Sequence, residues 1–212
     1  MAKAATAIKL QNPDALSEKV QAILHAGARV FLQSGYGSAS MDAIATEANV
    51  SKQTVYSHFG AKDALFEAII ENKCAELLRP AFESLAPTKD PASNLKAVAS
   101  RFIAVILASS STALFRVIVA ESGRFPELAE AFYRAGPETA VKNLAGYLKE
   151  LDNAGALSIE DATASAQQFF ALLRGDLYMR RLLDLTPEPT DKEIKAVVDQ
   201  AVSAFMIIHA PK

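Results

Sequence analysis

The run Ser51-Lys52-Gln53-Thr54-Val55-Tyr56-Ser57-His58-Phe59 gathers an ammonium, a carboxamide, a phenol, an imidazole and hydroxyls in one short stretch. Val55 and Phe59 stand at i and i+4, so on a helix they share an anchoring face and leave Lys52, Gln53, Thr54, Tyr56 and His58 around the rest. Lysine donates to guanine O6 and N7, and glutamine pairs bidentately with adenine. Both occupy the first turn, the end that meets base edges when a helix enters the major groove. Thr54, Tyr56 and His58 suit phosphate oxygens. Lys62 adds a cation at the start of the next helix, whose N-terminus already favours an anion. The plain alternative is a solvated helix face in an ordinary helical bundle.

Several elements must position these groups. Apolar spacing predicts a first helix from Leu16 to Gln33, broken by Ser34-Gly35 and Gly37. Ser40 N-caps a second, whose stripe is Met41, Ile44, Ala45 and Ala48. It ends at Asn49, a residue that tolerates the left-handed conformation a tight corner needs. Val50 plugs the core, Ser51 caps the third helix, 52–59, and Gly60 closes it. A fourth helix, Lys62 to Arg79, buries Leu65, Phe66, Ile69, Ile70, Leu77 and Leu78, with Pro80 as a kink or stop. Ahead of all this, residues 1–15 lack an apolar period and read as a flexible arm. Beyond a loop from Ala86 to Pro91 come helices over 94–108, 112–123 and 126–135. A further one runs from Gly136-Pro137 to Asn153. Ser158 with Asp161 opens a helix to Leu183, and the capping box Thr190/Glu193 opens the last, to His209.

The chain has 212 residues, 50% of them hydrophobic, and a net charge of −2. Few alternating β-branched runs occur, so the fold class is all-α, with about nine helices. Residues 1–62 hold six basic and four acidic side chains and the other 150 hold 16 and 20, a sign pattern that suits a nucleic-acid reader carried on an acidic body. The single cysteine, Cys74, lies in an apolar-periodic segment and reads as a buried structural thiol. No metal-ligand spacing, phosphate-cradling Gly-rich loop or nucleophile with a nearby base appears, so no metal, cofactor or catalytic residue is expected. The N-terminus lacks a secretory h-region, and Phe102–Ala120 is too broken by Ser109, Ser110, Ser111 and Arg116 to span a membrane. A cytoplasmic protein is expected, with no membrane partner.

Gly35-Tyr36, Ser40-Met41, Ile44-Ala45, Ala48, Val50-Ser51, Thr54, Tyr56, His58-Phe59, Lys62 and Leu65-Phe66, in that spacing, resemble the TetR family of bacterial transcriptional regulators. The resemblance covers about Leu16 to Leu78. It implies a flexible arm (1–15), a three-helix helix-turn-helix domain (16–61), and a connecting helix leading into a ligand-binding and dimerisation domain (62–212). It also implies double-stranded operator DNA as partner, localisation with the bacterial nucleoid when bound, and DNA contacts at Ser40, Ser51, Lys52, Gln53, Thr54, Tyr56, His58 and Lys62. Three positions depart from the family pattern. Asn49 stands where Gly is usual, Ala61 where Ser or Asn often caps the fourth helix, and Gln53 where Gly is frequent. The last would make base readout individual.

Arg116–Glu138, Gln168-Phe169-Phe170 and Leu173-Arg174-Gly175 resemble the AefR-like subgroup, which implies a repressor without identifying its inducer. Phe102, Ile106, Phe115, Ile118, Phe125, Phe132, Phe169, Phe170 and Leu173 are candidates for an effector pocket and equally for the core. Glu121 and Arg174 are charged residues inside apolar helices, fit for effector contacts or for structural ion pairs. The resemblance further implies a homodimer through the helices over about 159–183 and 191–209, placing two recognition helices about one DNA turn apart on a palindromic operator. A ligand-responsive regulator released by a small apolar or amphipathic effector is the main expectation. A helical enzyme or a protein-binding adaptor using the C-terminal cavity is the alternative.

Overall fold

The computed structural model describes residues 16–83 and 90–211, apart from the side chains of 74, 77–81 and 83. The expected arm, most of the Ala86–Pro91 loop, and the side chains of Cys74, Leu77 and Leu78 lie outside this description. Among the described residues the chain is helical without strands, as the all-α reading requires.

The helices are α1 (Glu18–Ser38), α2 (Met41–Glu47), α3 (Lys52–Phe59), α4 (Lys62–Glu83), α5 (Pro91–Leu107), α6 (Ser109–Glu121), α7 (Pro126–Tyr133), α8 (Thr139–Asn153), α9 (Ala162–Leu173), α10 (Asp176–Leu182) and α11 (Asp191–Ile208). They sort into two compact units. Met1–Glu76 goes with Leu114–Gly136, and Leu77–Ala113 goes with Pro137–Lys212. Compactness thus divides the chain differently from the expected boundary at 61/62.

In the first unit, Gly35 interrupts α1 with φ 72 and ψ 164, and one further turn carries Tyr36 into the core at 3% exposure. The break is where the sequence places it, because only glycine takes that backbone without a Cβ clash. Ser40 Oγ accepts from the Ala43 amide at 3.1 Å and Ser51 Oγ from the Thr54 amide at 3.1 Å, so α2 and α3 both start on the expected caps. Asn49 holds φ 53 at the corner between them. Replacing Asn49 with Val should cost about 1–2 kcal/mol, while Asn49→Gly should leave stability within a few tenths, because the strain lies in a β-branched Cβ at positive φ. Urea midpoints of the two variants check this.

Ile118, Leu128 and Ala131, from α6 and α7, are buried in the same core as Ile23, Phe31, Ile44, Val55, Leu65 and Phe66. Arg134 Nη2 meets Glu67 Oε1 of α4 at 2.7 Å. Pro137 does not open a helix as expected. It sits inside a π-helical turn, Arg134–Glu138, that carries α7 into α8. α4 likewise runs on past position 80 to Glu83.

The second unit packs α5, α8, α9 and α11 around Leu95, Val98, Phe102, Leu144, Leu148, Phe169, Phe170, Val202 and Phe205. The expected helix over 159–183 is two. α9 ends at Leu173 with Arg174 as its C-cap, and Gly175, with φ −80 and ψ −154, turns the chain into α10. Apolar residues continue across the break as Leu173 and Leu177, so the stripe alone does not reveal it. Asp161, not Ser158, caps α9, accepting from the Thr163 and Ala164 amides at 2.8 and 3.0 Å. The Ser158 amide instead donates to the His209 carbonyl at 3.0 Å, at the end of α11. The Thr190/Glu193 capping box forms as expected.

Candidate nucleic-acid interface

Val55 and Phe59 fix α3 to the first core at 0% and 7% exposure. The remaining face of α3 is polar, and it carries no acidic residue of its own. Lys52, Gln53, Tyr56 and His58 are exposed and Thr54 is half-buried, so the structure brings these expected contacts onto one helix surface. Ser51 and Thr54 are committed to the cap. Their hydroxyl oxygens lie 2.8 Å apart, and the Thr54 amide donates to Ser51. Ser40, exposed at the start of α2, is likewise a cap. Each capping hydroxyl takes one first-turn amide, and the remaining N–H groups at a helix start, which have no acceptor within the helix, are the donors that suit phosphate oxygens.

Two cations depart from the expected picture. Lys52 Nζ is held by Asp42 of α2, at 2.7 and 2.9 Å from its carboxylate oxygens, and lies 5.7 Å from the Tyr56 ring centroid. Asp42, by its hydrogen bond first and its charge second, pushes the Lys52 pKa above the ordinary lysine value. Lys62 turns inward. Its Nζ donates to the carbonyls of Tyr36 at 2.8 Å, Ala39 at 3.1 Å and Gly37 at 3.5 Å, and sits 4.4 Å over the Tyr36 ring. An ammonium has three protons to donate. Lys62 therefore clips the end of α1 to the start of α4, where the sequence reading had it facing phosphate.

Sequence reasoning missed Asp42 and Tyr36. Asp42 is the one acid in the first turn of α2, ten residues before Lys52, and this spacing carries no signal without the helix-turn-helix geometry. Tyr36 stacks on Phe31 at 5.5 Å and meets Phe66 at 5.6 Å and Phe125 at 5.1 Å edge-on. The Gly-Tyr pair in the motif was its only signal.

The effector-pocket candidates fall into both units. In the second, Phe102 and Phe170 lie 4.4 Å apart with the Arg174 guanidinium 5.5 Å from the Phe102 centroid. Phe169 and Leu173 are buried beside them and Ile106 is half-buried. In the first, Phe115 and Phe132 lie 5.6 Å apart, Ile118 is buried, and Phe125 and Glu121 are half-buried.

Two family models match successive parts of the chain, and the second takes in residues of both units. A family model described as "Bacterial regulatory proteins, tetR family" matches residues 23–69, and one described as "AefR-like transcriptional repressor, C-terminal domain" matches residues 93–211. The chain is 35% identical over 80 residues to the HTH-type transcriptional activator FasR of Mycolicibacterium smegmatis, a match that spans 38% of this chain but only 36% of that protein. It is 28% identical over 175 residues to the HTH-type transcriptional regulator UidR of Escherichia coli K12, covering 81% of this chain and 83% of that one. Among solved structures it is similar to the flavonoid-responsive regulator FrrA, with 34% identity, a TM-score of 0.75, and coverage of 92% of this chain and 98% of that chain.

Proposed function

Since the chain belongs to the tetR family of bacterial regulatory proteins, which are DNA-binding, ligand-responsive transcriptional regulators, we propose that it is a repressor binding a palindromic operator as a homodimer. The observation that carries the DNA reading is the outward, acid-free face of α3, with Lys52 and Gln53 in its first turn and Val55 and Phe59 anchored beneath. The repressor reading rests on the AefR-like match over residues 93–211. A gel-shift assay against the DNA flanking its own gene, followed by footprinting, tests the reading. A discrete, salt-sensitive complex over an inverted repeat supports it, and only diffuse, sequence-blind retention overturns it.

The dimer is supported by apolar side chains in water. Leu172, Met179, Leu183, Leu185, Ile207 and Ile208, from α9 through α11, are between 39% and 75% exposed. Six large apolar side chains left exposed on the segments expected to dimerise support an association surface there. Sedimentation should give a dimer at micromolar concentration.

For the effector, the likeness to a flavonoid-responsive regulator puts aromatic amphipaths first among small molecules to try. The aromatic pairs Phe102/Phe170 and Phe115/Phe132 are aromatic contacts among the candidate positions that such a molecule would have to reach. Release from DNA is a population shift. The effector must bind the non-reading arrangement better, and a coupling of about 1–3 kcal/mol gives about a 5–150-fold change in operator affinity. Operator affinity unchanged across a panel of flavonoids and related amphipaths overturns this choice of effector class.

Gln53→Ala should cost about 1–3 kcal/mol on the native operator and change which base is preferred at one position of each half-site. Tyr56→Phe should weaken binding to operator and random duplex alike, because a phosphate contact reads no sequence. Equal losses on both duplexes for Gln53→Ala would contradict the base-reading role.

A further inference from the structure

Asp42 is an acidic residue standing against a surface that meets a polyanion. Its carboxylate contacts Lys52 through both oxygens, at 2.7 and 2.9 Å, and both side chains are more than half exposed. A pair so open to water contributes little to folding, so stability does not account for it. Nor does capping of α2, because Ser40 already accepts from the Ala43 amide. What the contact does change is how Lys52 meets DNA. A free ammonium on α3 would be drawn to any phosphate, and it would release counterions there whatever the sequence. Paired with Asp42, it is neutral as seen from a distance, yet it keeps protons for a neutral acceptor such as guanine O6 or N7. The carboxylate and the adjacent Tyr56 ring together hold the ammonium in one place on the first turn.

We propose that Asp42 is a specificity-determining residue, which holds Lys52 as a base reader and keeps it from serving as a general phosphate grip. This rests on the DNA reading above and deepens it. A phosphate that reaches the remaining Lys52 protons also meets the Asp42 carboxylate, a like charge beside the ammonium, so it gains little there. A guanine edge is uncharged and meets no such repulsion.

The test is Asp42→Asn in the full-length protein, an isosteric change at an exposed site. Operator and random duplex are titrated by fluorescence anisotropy over a range of salt. Random-duplex affinity should rise, and its log–log salt dependence should steepen by about 0.9 for each lysine released onto a phosphate. Preference for operator over random duplex should fall by about 5-fold or more, the low end for one specific base contact. The same substitution made in a Lys52→Ala background should change none of these. Glu47→Gln, which removes an equal charge from α2 beside Arg29, should leave the preference intact. The proposal is overturned by any of three results: an unchanged preference in Asp42→Asn, an equal tightening on both duplexes, or the same effect without Lys52. Absence of a discrete wild-type complex on operator would instead overturn the DNA reading on which the proposal stands.

Discussion

Lys62→Met should lower stability by about 2–3 kcal/mol, through the charge-assisted hydrogen bonds to backbone carbonyls and the ring interaction that go with the ammonium. The carbonyls of Tyr36, Gly37 and Ala39 lie at the end of α1, and the Lys62 ammonium is their shared donor. Burial pushes the Tyr36 phenol up to about 12, so the ring beneath Nζ is neutral and presents its face rather than a phenolate. Methionine keeps the length of the side chain and removes the donors, and urea unfolding reads the loss. DNA binding separates the two roles considered for this lysine. As a clip, its removal weakens operator and random duplex by a similar factor and leaves the salt dependence of binding unchanged. As a phosphate ligand, its removal would flatten the log–log salt slope by about 0.9 for each phosphate it had neutralised.

Arg181→Ala should be the more destabilising of the two, by about 3–5 kcal/mol, with its effect in the second unit. The side chain is 4% exposed. Nε donates to the Leu107 carbonyl at 3.2 Å, Nη1 to the Thr186 carbonyl at 2.7 Å, and Nη2 to Ser109 Oγ at 3.1 Å. One planar group thus bridges the break between α5 and α6 to the segment after α10. Alanine would leave two carbonyls without this donor and open a void. Arg181→Lys should recover only part of the loss, since one ammonium cannot reproduce the guanidinium fork. Leu183 and Leu185, both highly exposed, lie just before Thr186. In the homodimer proposed above, the alanine variant should therefore also raise the dissociation constant, and sedimentation equilibrium measures it.

Where local chemistry decides the outcome, the sequence is readable. Ser40 and Ser51 cap because a hydroxyl beside a helix start has an amide to accept from. Asn49 takes the left-handed corner for reasons held in its own side chain. The face of α3 follows from the placing of Val55 and Phe59. Distant partners are what escaped. Lys62 is captured by carbonyls more than twenty residues earlier in the chain, and no spacing rule announces that. α9 stops at Leu173 although the apolar stripe continues past it to Leu177, because periodicity marks a face and not the continuity of the helix that carries it. The two groups of pocket candidates were indistinguishable by composition. Their assignment to different cores came only with the packing.

Gly35 and Gly37 have a practical consequence for building chimeric regulators. A Cβ on Gly35 would come to 3.0 Å from Glu121 Oε1, and one on Gly37 to 3.4 Å from Phe125, so the corner after α6 sits on bare backbone beside Tyr36. The reading head is therefore not a portable cassette ending at Glu76. Grafted alone onto another regulator, it would arrive without Ile118, Leu128 and Ala131, with part of its core open to water. A working transplant takes two pieces of chain, Met1–Glu76 and Leu114–Gly136, and meets the recipient after Glu76, before Leu114 and after Gly136 instead of at a single seam.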